Sequence, residues 1–408
     1  MPAKWKKSPR FDPVVILSRI DKGRTVSPGG GAAFHGFDWE ECLPALSSML
    51  SLPPVVSEID SSTLIWRALT KVPGPLTPAD FLTAVNREIS DRLATRSVSY
   101  RLLTTISLHP SDIPRTISSE GTTLRFLPGE FPRAYLAARG ELIRTRPIPT
   151  SATPSRYCKV NVTVQSKSPT SAVHKALRAL DLQRALWSSL VNPTMAISIG
   201  GPSLGPINVV RLGSQHTLHL PDGKPATEAI WFDPGFLEAN VYRISKPVLV
   251  RKYCTWAMQR IRSSRYQDQL VSALVRYVRA LDEQDATTSF LRLWSTLESL
   301  TTPGNADYER LVRRCVFLFK DASYHRQILE HLREYRNETV HAGEYSDHAR
   351  TLCYQTSLYF VSLIRFHIRN ASFFTSLDEA NAFLDSPADK NRLNRQLKLG
   401  RKALKFIA

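Results

Sequence analysis

Residues 331–345 read HLREYRNETVHAGEY, and their spacing decides the C-terminal half of the chain. Set about 100° apart around a helix axis, Ile328, Leu332 and Tyr335 gather on one side. On the same wheel Arg333, Arg336, Asn337 and His341 project away from that apolar stripe. Gly343 supplies a C′ position, so His341 falls in the last helical turn, where the helix dipole favours a protonated imidazole.

Outward from this stretch the same period continues. From about Ser263 proline and glycine become rare, and helical patterns follow one another over 264–282, 286–301, 307–319, 322–342, 346–370, 376–385 and 387–404, separated by short polar breaks. Connections this short imply antiparallel neighbours in an all-α bundle. Up to about residue 260 strand and helix signals mix instead. Tyr157–Gln165 reads as a strand, with Val160, Val162 and Val164 alternating with polar residues. His216–Leu220 and Glu228–Phe232 read as two more, joined by the turn PDGKP. Ala172–Leu190 reads as an amphipathic helix with Ser171 as its N-cap. The segment RTRPIPTSATPSR, over 144–156, reads as an internal linker that would split this region into two subdomains. The expected class is α+β: a mixed α/β region over 1–260, then a helical bundle over 261–408.

Composition narrows the partners. The 408 residues carry 54 lysines and arginines against 36 acids, a formal net charge of +18, which favours a polyanion over an acidic small molecule. Most of that excess precedes residue 261, although the tail after Asp389, KNRLNRQLKLGRKALKFIA, holds basic residues and no acid and reads as a basic amphipathic helix or a solvated face. An anionic membrane surface would suit the charge. There is no run of about 18 apolar residues, and the opening MPAKWKKSPRFDP lacks a signal peptide's apolar core, so the expectation is a cytoplasmic protein without a membrane partner. Cys42, Cys158, Cys254, Cys315 and Cys353 form no CxxC pair and are odd in number, which points to buried thiols rather than disulfides or zinc. Neither SPGGG from Ser27 nor SIGGPSLGP from Ser198 ends in the Gly-Lys-Ser/Thr of a phosphate loop. His174, His216, His219, His325, His331, His348 and His367 show no ligand spacing, so neither a metal nor a cofactor is expected.

RNA is cut without a metal when its own 2′-hydroxyl attacks the adjacent phosphorus, which requires proton transfers and a cation beside the added negative charge. A histidine handles the proton. Arginine's planar fork holds two phosphate oxygens, and an asparagine amide orients either group. Spacing alone is weak evidence, since Arg211 to His216 and Arg326 to His331 repeat it. What separates Arg336–Asn337 and His341 is the adjacent asparagine, the helix end and the following glycine. The same residues also fit a polar face that caps its own helix and pairs with Glu334 and Glu338.

LWSTLESL from Leu293, the pair Arg313–Arg314, and YRNETVHAG from Tyr335 together resemble the Apea-like HEPN family, whose pattern is RN-x3-H in a helical domain. The resemblance spans about residues 265–385. It implies a metal-independent endoribonuclease acting as a homodimer through the helical domain, of the kind found in toxin and antiviral defence systems, with Arg336, Asn337 and His341 catalytic. Glu298 resembles an acidic residue that supports the cluster in related domains; an ion pair with Arg313 or Arg314 is the other reading. On this view the first 260 residues sense an invader-derived or nucleic-acid trigger. The competing expectation is a non-catalytic RNA-binding or dimerisation module.

Overall fold

Helices begin where short polar side chains can receive the first free backbone N–H groups, and the opening of the chain follows that rule. A computed structural model describes residues 2–27, 31–53, 61–146, 154–195, 205–304, 307–342 and 348–407, with only the backbone of Asp38, Ser61, His341 and Ala342. After β1 (Lys4–Trp5), Asp12 accepts from the Val14 N–H at 2.9 Å and starts α1 (Pro13–Lys22). The hairpin β2 (Arg24–Val26) and β3 (Ala32–Phe34) follows, then α2 (Asp38–Met49), β4 (Leu50–Ser51), α3 (Ser61–Lys71) and α4 (Pro78–Ala94). Leu17, Ile20, Leu46, Leu69, Phe81 and Val85 are each fully buried where these four helices meet.

The middle of the chain supplies a six-stranded sheet. Its strands are β5 (Val98–Ile106), β6 (Thr116–Ser119), β7 (Thr122–Leu127), β8 (Cys158–Ser166), β9 (Gln215–His219) and β10 (Pro225–Phe232). They lie in the order β10-β9-β5-β8-β7-β6. The antiparallel β6–β7 hairpin turns through Glu120 and Gly121, both at positive φ, the conformation that a two-residue turn needs to match strand twist. Strands β5 and β8 occupy the centre and are buried along most of their length, as strands covered on both faces must be. Helix α5 (Arg133–Thr145) anchors itself through Arg139, which donates to the Leu103 carbonyl (3.1 Å), Thr217 Oγ1 (2.7 Å) and the Gln215 carbonyl (3.1 Å). Burial lowers that guanidinium's pKa to about 10.

Helix α6 (Pro169–Val191) begins three residues before the expected start, and Ser171 lies inside it. The N-cap is Ser168, whose Oγ accepts from the Ser171 N–H at 3.3 Å, with proline at the first helical position. Seven further helices follow: α7 (Pro247–Ser263), α8 (Gln267–Leu281), α9 (Ala286–Thr301), α10 (Tyr308–Val316), α11 (Ala322–Ala342), α12 (Ala349–Arg369) and α13 (Leu377–Leu384), with α14 (Lys390–Ile407) last. All but α7 match an expected helix to within about three residues. Tyr277 and Phe360 stack at 4.3 Å between α8 and α12.

With 57% helix and 15% strand, a mixed region followed by a helical one, the chain is α+β. It divides into two compact units, residues 1–102 with 162–176 and 218–228, and residues 103–161 with 177–217 and 229–408. Residue 260 lies within α7, inside the second unit. The five cysteines are buried free thiols. Much of the expected linker (147–153) and most of the two glycine-rich loops (28–30 and 198–204) lie outside the described residues.

Candidate active site

Helix α11 starts at Asp321, whose Oδ1 accepts from the Tyr324 N–H at 3.1 Å. It runs on without proline or glycine to Ala342. Leu329, Leu332 and Tyr335 are its buried residues, and Phe290 of α9 packs on Tyr335 at 5.1 Å between centroids. Leu329 widens the apolar stripe towards Arg336, seven residues on and so on nearly the same side. Arg336 therefore lies at the edge of the buried face rather than projecting away from it, and is half-buried.

What it meets there is an aromatic ring. Arg336 Cζ stands 5.0 Å from the centroid of Tyr308, the first residue of α10, and Arg333 Cζ stands 5.8 Å from the same centroid. One tyrosine thus carries two guanidinium groups, a geometry in which the ring quadrupole offsets part of their mutual repulsion. Arg336 Nη1 donates to Asn337 Oδ1 at 3.4 Å, a long and weak contact. Arg333 pairs with Glu330 at 3.2 Å. Among the described residues Arg336 forms no ion pair, and neither Glu334 nor Glu338 reaches it. No described carboxylate neutralises its charge.

Tyr308 also lines a cavity of about 710 Å³, together with Thr302, Asp307, Arg314, Arg333 and Asn381. Asn381 is 2% exposed; its Nδ2 donates to the Leu300 carbonyl at 3.0 Å, while its Oδ1 has no hydrogen-bond partner among the described residues. Trp294 of α9 approaches Tyr308 at 6.3 Å, and its indole N–H donates to Glu298 Oε1 at 2.9 Å. Among the described residues Glu298 reaches the Tyr308 ring through Trp294. It does not pair with Arg313 or Arg314. Both of those arginines go to Asp385 at the end of α13, Arg313 Nη2 at 2.9 Å and Arg314 Nη2 at 2.5 Å, and Arg314 also donates to the Thr301 carbonyl. Burial raises the Asp385 carboxyl pKa, but the hydrogen bonds and charge of the two arginines outweigh it and hold the group below its ordinary value.

His341 is the next-to-last residue of α11; its side chain, like Gly343, lies outside the described residues. His348 is exposed and immediately precedes α12. Among the described residues no group of three or more histidine, cysteine, aspartate or glutamate side chains is placed to hold a metal ion.

No protein-family model, curated protein or solved structure matches this chain.

A second charged cluster was not expected from the sequence. Arg184 of α6 and Arg211 are each about 1% exposed. Arg184 Nη2 reaches Asp181 at 2.6 Å and Asp282 at 2.7 Å, and its Nη1 donates to the Val210 carbonyl at 2.9 Å. Arg211 reaches Asp233 at 3.2 Å and donates to the Asp282 carbonyl. Arg279 and Asn208 complete the coordination of Asp181 and Asp282, each at 2.7 Å. The group borders another cavity of about 710 Å³, into which His216 and Glu283 also face. Burial raises the Asp233 and Glu283 pKa values, each with a neighbouring carboxylate adding to the effect. His216 shares a 2.7 Å hydrogen bond with Thr104, and burial beside Arg139 and Arg184 pushes its pKa down to about 3, so it is neutral. The legible part of this cluster was Asp181 and Arg184, three residues apart on one helix; their distant partners carry no local signature.

Proposed function

We propose that this chain is a metal-independent endoribonuclease of the HEPN type. The observation that carries the reading is the Arg336 guanidinium: half-buried, 5.0 Å from the centroid of the Tyr308 ring and free of any carboxylate among the described residues. A structural arginine in so sheltered a place ordinarily has an acid to neutralise it. Arg336 instead keeps its charge and its donors for a ligand, and a phosphodiester is the anion whose geometry that fork matches. His341 stands five residues further along the same helix, roughly 7.5 Å in rise and about 140° around its axis, and a groove that joins the two must span that turn.

In the reaction the imidazole of His341 removes the proton from a ribose 2′-hydroxyl. The oxygen bonds to the adjacent phosphorus, and the bond from phosphorus to the 5′-oxygen breaks as that oxygen takes a proton from the His341 imidazolium of a second copy. The products are a 2′,3′-cyclic phosphate and a 5′-hydroxyl. Arg336 stabilises the added charge on phosphorus, and Asn337 holds Arg336 and the phosphate in register. Glu298 is a positioning residue that acts through Trp294 and Tyr308. A two-fold dimer through the helical bundle brings the two histidines to one groove. The protein works in the cytoplasm as a defence effector or toxin, with the N-terminal region answering to an invader-derived or nucleic-acid trigger.

The partial burial of Arg336 favours one other reading, a module that grips RNA without cutting it. Incubating the purified protein and its His341→Ala variant with RNA in EDTA separates the two. Cleavage by the first and none by the second is expected; equal RNA binding with no cleavage by either overturns the nuclease.

A further inference from the structure

Every described residue of α14 is exposed, and none of them is buried against the rest of the molecule. Asp389 caps its start, accepting from the Arg392 N–H at 2.7 Å. The helix then runs 18 residues, about 27 Å. With Leu393 as zero and about 100° per residue, Leu397, Gly400, Leu404 and Ile407 all fall within about 40° of it. Lys390, Arg395, Lys398, Arg401, Lys402 and Lys405 occupy about 60° to 200° of the same circle. One arc is mainly apolar and the opposite one mainly basic; Asn391 and Asn394 lie among the cations, Gln396 borders the apolar arc, Phe406, Leu399 and Arg392 fall between about 220° and 260°, and no acid lies on the helix. Leu404 is 68% exposed, Phe406 81% and Ile407 80%.

We infer that α14 lies on an anionic lipid surface, its apolar side in the boundary between headgroups and acyl chains and its cations among the headgroups. Only one kind of occupant matches both faces. A nucleic acid satisfies the basic face and leaves Leu397, Leu404 and Ile407 in water. A second copy of α14 buries the apolar face but brings two wholly cationic helices together with nothing to neutralise them. Anionic lipid satisfies both faces at once, because apolar burial and headgroup attraction act along the same normal. This is a contact in the plane of a bilayer: no helix among the described residues is long and apolar enough to cross one. It does not depend on the ribonuclease reading.

The test is flotation of the full-length protein with vesicles of pure phosphatidylcholine and with vesicles of phosphatidylcholine and phosphatidylglycerol in equal parts. Two variants accompany it, Leu397→Glu with Leu404→Glu on the apolar side and Lys398→Glu with Lys402→Glu on the basic side. Both alter only exposed positions, so circular dichroism should match the parent. The expected result is binding to the anionic vesicles alone, reduced about tenfold or more by either variant. Equal or absent binding to both vesicles overturns the proposal, as does unchanged vesicle binding by the apolar-side variant. If that variant instead converts a dimer to a monomer by light scattering while still binding vesicles, a second copy covers the face. If the basic-side variant loses single-stranded RNA yet keeps the vesicles, RNA is the occupant.

Discussion

Replacing Arg336 with methionine keeps the length and helix preference of the side chain and removes its charge, which makes it a direct probe of what the guanidinium is for. The structural loss should be small. Among the described residues Arg336 has one long hydrogen bond, at 3.4 Å, and a ring contact at 5.0 Å, together about 0.5–1 kcal/mol. The catalytic loss should be large, because removing one preorganised donor from a developing oxyanion costs roughly 100- to 1000-fold in rate, about 2.7–4 kcal/mol. Arg314 is the control in the same bundle. It is 8% exposed and bound to Asp385 and the Thr301 carbonyl. Arg314→Met should therefore cost about 3 kcal/mol of stability, at the lower end for a broken buried pair because Asp385 keeps Arg313. Urea unfolding of both variants, with single-turnover cleavage of a labelled RNA, reads the contrast. Arg336→Met cleaving at the parental rate, or unfolding as readily as Arg314→Met, refutes the assignment.

Glu298→Gln retains an acceptor for the Trp294 indole and should leave cleavage within a few-fold of the parent; a loss of about 100-fold would place the carboxylate in the chemistry itself. His216 and His367 are both pushed to about 3 by burial, below their unfolded value of about 6.5, so the unfolded chain binds more protons in acid and their contribution is full above that value and lost as pH falls towards 3. At about pH 4.5 each should have removed roughly 2.7 kcal/mol, and denaturant unfolding of a His367→Phe variant should show a stability that falls less steeply with acid than the parent's. Ser168→Ala should lower stability by about 1 kcal/mol through loss of the α6 cap, measurable as a shift in the urea midpoint, and Ser171→Ala should not.

The helical half was readable because its apolar residues repeat at one period and its breaks are short, so Leu332, Tyr335 and their neighbours declared a face. Leu329 decides the place of Arg336: a stripe of Ile328, Leu332 and Tyr335 alone turns it outward, whereas the wider face with Leu329 buried draws it onto Tyr308. That ring contact had no signal, since Tyr308 and Arg336 lie on different helices. The N-terminal region was harder. Pro13 and Pro78 open helices there, and a proline marks a helix start and a loop alike, so α1 to α4 carry no clear signal. Helix α7 was hidden because its exposed Val248, Leu249 and Trp256 blur the contrast between faces. The Arg184 and Arg211 network depends on partners as far away as Asp282, which only the fold brings near.

That network also governs how the polypeptide can be dissected. A fragment starting at residue 261 would cut through the last turn of α7 and strip Asp282 of Arg184, Arg211 and Asn208 in one stroke, stranding a largely buried carboxylate at the end of α8. The helical part is therefore no detachable cassette. Any excised version that is to keep these contacts has to carry α6 and the 207–213 segment along.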